Sequence, residues 1–259
     1  FKGYNITDIS TSVVNVTTGT IPAQRKVLGG GLHSNPAVVN YGVVSGATAQ
    51  EALTDATKQD NTIYFSTLGG ALHGVNTNSG QEIFAFIPGE KLGALKRLYQ
   101  NVSLTTDDFP EYGLDSTWTI YRKDANQDGQ ITAGSTDAVY LYGGMRMGGS
   151  NYYALDLTDR NSPKMLFTIL GGTTEGFQKL GQTWSQPVVA DIKIGTDVTK
   201  VLIFGGGYDP CYETTCTAGA YQKGSQLFIV DAITGELYWS ASGSNAGTPA
   251  PTLTVAGMD

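Results

Sequence analysis

Three features of the chain predict an all-β fold, a β-propeller of four-stranded antiparallel blades. A unit of strands and turns recurs three times in fixed order. Of the 259 residues, 40 % are hydrophobic and only 15 % charged, too apolar for a disordered polymer. Gly (34) is abundant and Tyr (14) outnumbers Phe (9), which suits many short strands joined by tight turns.

The first unit runs Asn61-Thr-Ile-Tyr-Phe-Ser, Gly69-Gly-Ala-Leu-His-Gly-Val-Asn, then Ser79-Gly-Gln-Glu-Ile-Phe-Ala-Phe. The second runs Ala138-Val-Tyr-Leu-Tyr-Gly, Tyr152-Tyr-Ala-Leu-Asp-Leu, then Pro163-Lys-Met-Leu-Phe. The third runs Lys200-Val-Leu-Ile-Phe-Gly, Gln226-Leu-Phe-Ile-Val-Asp, then Thr234-Gly-Glu-Leu-Tyr-Trp. Each gives an apolar strand, a Gly-rich connection, a strand ending near Asn or Asp, a turn and an aromatic strand, which read as consecutive hairpins. A fourth strand precedes each trio. His33-Ser-Asn-Pro-Ala-Val-Val-Asn parallels Trp184-Ser-Gln-Pro-Val-Val-Ala-Asp, and Asp115-Ser-Thr-Trp-Thr-Ile-Tyr-Arg takes the middle place without the Pro. Proline at a strand's start is tolerated because its missing N–H need not enter the ladder. The competing architecture, a β-sandwich, does not require this repeated order.

The blade-like units fall near 34–88, 116–168 and 184–240 of a partial propeller spanning 1–259. Propellers close with about 4 to 8 blades, so the three evident here are expected to belong to a larger, seven-bladed ring. The innermost strand of each blade is expected to be apolar and tightly packed. Between blades, Gly89-Glu-Lys-Leu-Gly-Ala-Leu-Lys-Arg-Leu-Tyr-Gln places Leu92, Leu95 and Tyr99 on one helical stripe. Trp118, Trp184 and Trp239 read as blade packing rather than a sugar platform, with Trp184 and Trp239 filling wedges between sheets.

Charge and cysteine usage exclude several classes. A net charge of −7 argues against nucleic acid and anionic membrane surfaces as partners. No run of about 18 apolar residues exists to span a bilayer as a helix. A start at Phe1 without Met reads as a chain cut from a longer precursor. Cys211 and Cys216, in Gly-Tyr-Asp-Pro-Cys-Tyr-Glu-Thr-Thr-Cys, bound a local loop that a disulfide can close, in keeping with an oxidising compartment. Free thiols are the alternative. Zinc is disfavoured because His33 and His73, the only histidines, lie far from both cysteines.

The sharpest motif lies between the first two strands of the middle unit, in Asp124-Ala-Asn-Gln-Asp-Gly-Gln-Ile-Thr-Ala-Gly-Ser-Thr-Asp. Oxygen ligands at alternate positions, Gly at the sixth and an apolar residue at the eighth describe a calcium loop. Asp124, Asn126 and Asp128 would give side-chain oxygens and Gln130 its backbone carbonyl. Thr132 holds the ninth position and Ser135 the twelfth, where a bidentate Glu normally sits, so Asp137 is the acid expected to complete the sphere. An Asx-rich turn without metal is the alternative. Mg²⁺ fits less well, since it dehydrates reluctantly.

Several stretches then resemble the PilC/PilY family of type IV pilus tip-associated biogenesis proteins. They are Gly70-Ala-Leu-His-Gly-Val-Asn with Ser79-Gly-Gln-Glu-Ile-Phe-Ala-Phe-Ile-Pro, Tyr142-Gly-Gly-Met-Arg-Met-Gly-Gly-Ser-Asn-Tyr-Tyr-Ala-Leu-Asp-Leu-Thr-Asp, Leu180-Gly-Gln-Thr-Trp-Ser-Gln-Pro and Phe204-Gly-Gly-Gly-Tyr-Asp-Pro. The resemblance covers roughly Gly30 to Ser242, in the family's order. It implies the C-terminal β-propeller of a secreted, non-enzymatic protein at the pilus tip, exported through periplasm and outer membrane. It implies roles in pilus assembly and extension and in adhesion to host cells or abiotic surfaces, with pilins as partners. It also implies Ca²⁺ at Asp124, Asn126 and Asp128, with Thr132 where some members carry Asp. A second family calcium loop is expected beyond Pro251-Thr-Leu-Thr-Val, past the last residue, Asp259. No Arg-Gly-Asp triplet occurs.

Two other function classes compete. A quinoprotein dehydrogenase would need an adjacent Cys pair and a base carboxylate facing the ring axis, for which Asp156 and Asp231 are the acids to test. A cofactor-free outer-membrane assembly propeller lacks any reason for the calcium loop. Nucleophilic catalysis by His33 or His73 lacks a Gly-x-Ser-x-Gly turn or Cys–His pairing, and buried hydrogen-bonded histidines are expected instead. The Asn-x-Ser/Thr triplets at Asn5, Asn15 and Asn101 carry no inference.

Overall fold

The computed structural model describes residues 28–95, 112–194, 196–213 and 223–242. Cys216, Tyr99, the three Asn-x-Ser/Thr sites and Pro251–Val255 lie outside the described residues.

Twelve strands form three four-stranded antiparallel sheets, each in sequence order. The first sheet holds β1 (Ala37–Val43), β2 (Gln59–Ser66), β3 (Leu72–Asn76) and β4 (Glu82–Phe86). The second holds β5 (Thr119–Lys123), β6 (Ala138–Gly143), β7 (Tyr152–Asp156) and β8 (Lys164–Ile169). The third holds β9 (Val188–Ile194), β10 (Asp197–Gly205), β11 (Gln226–Asp231) and β12 (Leu237–Ser242). First strands are neighbours, β1 beside β5 and β5 beside β9, so the sheets fan out from one line as propeller blades do.

Side-chain alternation explains the stacking. On β6, Val139 and Leu141 enter the core shared with the first blade, while Tyr142 enters the core shared with the third. On β7, Tyr153 and Leu155 face the first blade and Tyr152 and Ala154 the third. A strand with period-two side chains and a neighbour on both faces must be apolar throughout. The expectation for the innermost strands is therefore corrected: β6 and β7 are the most buried, whereas β5 and β9 keep exposed residues, Val188 among them.

The wedge tryptophan is also corrected. Trp118, at 2 % exposure, fills the seam between the first two blades, and Trp184 is 41 % exposed. A Cβ on Gly143 would lie 2.2 Å from the Trp118 ring, so this position admits no side chain. The seam between the second and third blades is filled by Phe177, Phe204 and Phe228, with ring centroids 5.0–6.5 Å apart.

The Asn or Asp ending each third strand caps the following turn. Asn76 Oδ1 accepts from the N–H of Asn78 and Ser79, at 3.0 and 2.9 Å. Asp231 Oδ1 accepts from Ile233 and Thr234, at 2.7 and 2.8 Å. Asp156 Oδ1 accepts from Thr158 at 2.9 Å. Between β1 and β2 lies an unanticipated helix, α1 (Ala49–Thr54), with a Thr48/Glu51 capping box. The helix expected from Gly89 starts instead as a 3₁₀ turn over Gly89–Lys91 that leaves Leu92 exposed.

Candidate metal centre

The loop from Asp124 to Asp137 joins β5 to β6 and folds on its own polar groups. Asp124 Oδ2 accepts from the Gly129 N–H at 2.8 Å, and Asn126 Oδ1 from the Asp128 N–H at 3.2 Å. Asp128 Oδ1 accepts from the Gln130 N–H at 2.8 Å, and its Oδ2 from the Asn126 amide at 2.9 Å. Gly129 turns at φ +83°, and Gln127 reaches φ +60°, one of two non-glycine residues with positive φ among those described.

Asp137 already spans the loop's base. Its Oδ1 accepts from the Ala125 N–H at 2.8 Å and its Oδ2 from the Thr132 N–H at 2.9 Å. Those two donors hold its pKa below the ordinary carboxylate range, outweighing the smaller opposing effect of burial. Ser135 steadies the same end, its hydroxyl donating to the Thr132 carbonyl at 2.7 Å and accepting from the Asp137 N–H at 3.0 Å.

One atom tests whether a cation fits. Asp124 Oδ1 is buried and has no hydrogen-bond partner. Leaving a buried acceptor unmet costs roughly 1–3 kcal/mol, and a cation held by the loop would meet it. Among the described residues no three His, Cys, Asp or Glu side chains converge as a ready ligand set. A cation there would have to be held by a mixed set of oxygens, from the carboxylates of Asp124 and Asp128, the Asn126 amide oxygen, the Gln130 carbonyl and Thr132, the kind of donors a hard cation takes.

The loop is docked on the neighbouring blade, a contact that sequence reasoning missed. The Ile131 N–H donates to the Tyr41 carbonyl at 2.9 Å. Gln130 Oε1 accepts from the Val43 N–H at 3.3 Å. It lies where a Cβ on Gly42 would come within 1.9 Å, in a β1 bulge with Gly42 at φ +133°. Arg122 completes the attachment, with Nε donating to the Asn40 carbonyl at 2.8 Å and Nη2 to the Gly129 carbonyl at 3.3 Å. Its Nη2 stands 3.9 Å from Asp124 Oδ2.

The remaining sequence candidates fall into place separately. His73 is buried, with Nδ1 at 2.8 Å from Glu82 and Nε2 at 3.3 Å from the Thr67 hydroxyl. His33 is partly exposed rather than buried, with Nδ1 2.7 Å from Asp115. Asp156 and Asp231 act as turn acceptors. For Asp231, burial pushes the pKa up, but hydrogen bonds from Tyr238, Thr234 and Ile233 outweigh it and the net shift is downward. Cys211 lies in a 3₁₀ turn over Pro210–Glu213. Asp209 clamps the loop that follows, accepting from the Cys211 N–H at 3.1 Å and the Lys223 N–H at 2.9 Å. No helix among the described residues is long and apolar enough to cross a membrane.

No family model matches the chain. The type IV pilus biogenesis factor PilY1 of Pseudomonas aeruginosa strain UCBPP-PA14 is 31 % identical over 206 residues, 71 % of this chain and 15 % of that protein. A PilY1 homolog of Xylella fastidiosa strain Temecula1 is 29 % identical over 203 residues, 74 % of this chain and 14 % of that protein. The crystal structure of the P. aeruginosa PilY1 C-terminal domain aligns at 22 % identity and TM-score 0.49, over 81 % of this chain and 38 % of that one. BamB from Moraxella catarrhalis aligns at 13 % identity and TM-score 0.24, over 69 % of this chain and 48 % of that one.

Proposed function

Because the chain belongs to the family of the PilY1 type IV pilus biogenesis factors, we propose that it is a non-enzymatic propeller segment that supports pilus assembly and extension at the cell surface. The observation that carries this reading is the 206-residue alignment at 31 % identity, which at 71 % of this chain is too long to rest on one motif. Pilins are the proposed partners, and attachment to a host cell or abiotic surface is the proposed second role. A propeller suits both, as a stiff platform that presents loops. The setting would be the pilus tip, after export through periplasm and outer membrane. That setting favours pairing of Cys211 with Cys216, in keeping with the lack of a free cysteine among the described residues. Completion of a seven-bladed ring by chain outside this sequence belongs to the same proposal.

The loop at Asp124 to Asp137 is proposed to take Ca²⁺, supported by the unmet Asp124 oxygen and by the alternating oxygen donors. The ion would supply a positive charge with a large, flexible oxygen shell. The protein's part is to hold the donors together and tie them to the adjacent blade.

Two experiments test these readings. Residues 30–242 replace the matching segment of P. aeruginosa PilY1, and surface pili and twitching are scored. Retained pili are expected; an exported, folded chimera without pili would overturn the assignment. Calcium is titrated calorimetrically into the purified chain beside Asp124→Ala/Asp128→Ala. Stoichiometric binding in the parent alone is expected, and silence up to millimolar calcium would reduce the loop to a polar turn.

A further inference from the structure

The sequence repeat aligns His33, Asp115 and Trp184 just before the first strands of three successive blades, and the structure joins them into one chain of contacts. His33 Nδ1 lies 2.7 Å from Asp115 Oδ2, and Arg146 Nη1 lies 3.2 Å from the same oxygen. The Arg146 guanidinium then stacks over the Trp184 ring, 4.2 Å from its centroid. The Asp115 side chain has no exposed surface, so it is a fixed anchor for the arginine.

The rings continue outward. Tyr208 meets Trp184 edge-on at 6.1 Å and 62°, and Tyr212 lies 6.1 Å beyond Tyr208. Tyr208 is positioned by a two-way backbone bridge with Gln182, at 2.7 and 3.0 Å. Gly207 makes that bridge possible at φ +83°, since a Cβ there would lie 1.8 Å from the Gln182 carbonyl.

This shelf is held in place at some expense and yet keeps aromatic surface exposed. Arg146 has φ +51°, the second of the two non-glycine positive-φ residues among those described, and the first lies in the candidate metal loop. Such backbone strain runs at about 1–3 kcal/mol and persists where the surroundings impose it. Trp184 is nevertheless 41 % exposed and Tyr212 51 %, while the wedge tryptophan Trp118 is buried. Exposed aromatics clustered in this way mark an interaction surface rather than packing.

We propose that the Trp184, Tyr208 and Tyr212 shelf, with Arg146 at its end, binds a neutral pyranose ring of a glycan. The ring's C–H face would lie against the Tyr208 and Tyr212 rings and the Trp184 face turned away from Arg146, as other apolar faces do. Its hydroxyls would meet planar polar groups at the rim. Arg146 offers guanidinium N–H groups beyond the one directed at Asp115, Glu213 offers its carboxylate, and Gln182 holds the Trp184 indole N–H on its amide oxygen at 3.1 Å. Neutral sugars fit best because Asp115 already balances Arg146, and Glu213, hydrogen-bonded to the Tyr208 hydroxyl, repels anions. The same acidic rim and the net charge of −7 oppose a nucleic-acid base stacking there. This site shares no residue with the metal loop.

The test is saturation-transfer NMR on the purified 259-residue chain with lactose, cellobiose and N,N′-diacetylchitobiose, and with N-acetylneuraminate as the anionic control. At least one neutral disaccharide is expected to saturate, and N-acetylneuraminate is not. Trp184→Ala and, independently, Tyr212→Ala are expected to weaken binding about tenfold or more, equivalent to about 1.4 kcal/mol. Both positions are exposed, so unchanged melting temperatures would show that the fold survives. Failure of all three neutral probes at about ten millimolar, or undiminished binding by both variants, would overturn the proposal.

Discussion

Gly42→Ala isolates the contact that ties the candidate loop to the first blade. The new Cβ would fall 1.9 Å from Gln130 Oε1 and 2.4 Å from its Cδ, and Gly42 sits at φ +133°. Two effects add. A side chain at that φ costs about 1–3 kcal/mol. Gln130 can swing away, since the clash is with the far end of its side chain, but the Val43 N–H then loses its acceptor, roughly another 1 kcal/mol. The sum is about 2–4 kcal/mol, or roughly 5–15 °C in melting temperature for a chain of this size. Gly46→Ala is the matched control, because Gly46 has φ +83° and open space around it, leaving backbone strain alone. Melting of Gly42→Ala, Gln130→Ala and the double variant gives a cycle whose coupling reports the clash and the lost acceptor. If Gly42→Ala melts no lower than Gly46→Ala and the cycle shows no coupling, Gln130 is not seated in the bulge and the docking argument fails.

Three further outcomes concern the seam and the loop. Gly143→Ala should cost about 3 kcal/mol or more in denaturant unfolding, because its Cβ meets the buried Trp118 ring at 2.2 Å; Trp118→Phe in the same chain should restore part of the loss. Asp137 has a depressed pKa, so its contribution is present above its unfolded pKa and lost as pH falls through the folded one. Melting curves of Asp137→Asn between pH 6 and pH 2 should therefore show a shallower acid limb than the parent's, and identical limbs would exclude the two N–H contacts. Arg122→Ala removes the cation beside Asp124 and the tether to Asn40, so it should lower metal-free stability by about 1 kcal/mol. The same variant should tighten calcium binding in calorimetry, and weaker binding would show that the tether outweighs the charge.

Local chemistry was legible in the sequence wherever it repeats. Strand positions followed from the apolar runs, and the Asn or Asp closing each third strand proved to be the acceptor of its turn. The α1 helix was missed although Thr48 and Glu51 stand at capping-box spacing, because a six-residue helix carries too little apolar periodicity to register. The Gly89 stripe is tested only as far as Leu95: it opens as a 3₁₀ turn over Gly89–Lys91, where Gly89 and Gly93 weaken an α-helix, and Leu95 is helical, while the residues after it lie outside those described. Which tryptophan enters a seam was not legible, since Trp118 is admitted by the missing side chain of Gly143 on the adjacent strand β6, across the intervening loop. The docking of Gln130 on Val43 is hidden in the same way, as a contact between residues 87 apart.

That docking changes what an ion in the loop could do. An insertion hanging free between two strands would shape only itself. This loop holds the Tyr41 carbonyl through Ile131 and the Val43 N–H through Gln130, and Arg122 on β5 beside it holds the Asn40 carbonyl, so loop and strand together bridge the first strands of two blades. The seam below combines side-chain packing around Tyr64, Leu72, Trp118 and Leu141 with polar ties such as the Tyr41 hydroxyl donating to the Leu157 carbonyl and the Arg160–Asp60 ion pair. Local opening of a seam draws on a fraction of the global stability, and a ligand that binds only the closed loop raises that fraction. At a hundredfold excess over its dissociation constant an ion would add about 2.7 kcal/mol, which lowers the open population about a hundredfold. No surface residue need move for this to matter. In a protein that carries load, as the proposed pilus role entails, ion occupancy would act on how firmly the blades stay together rather than on the face they present.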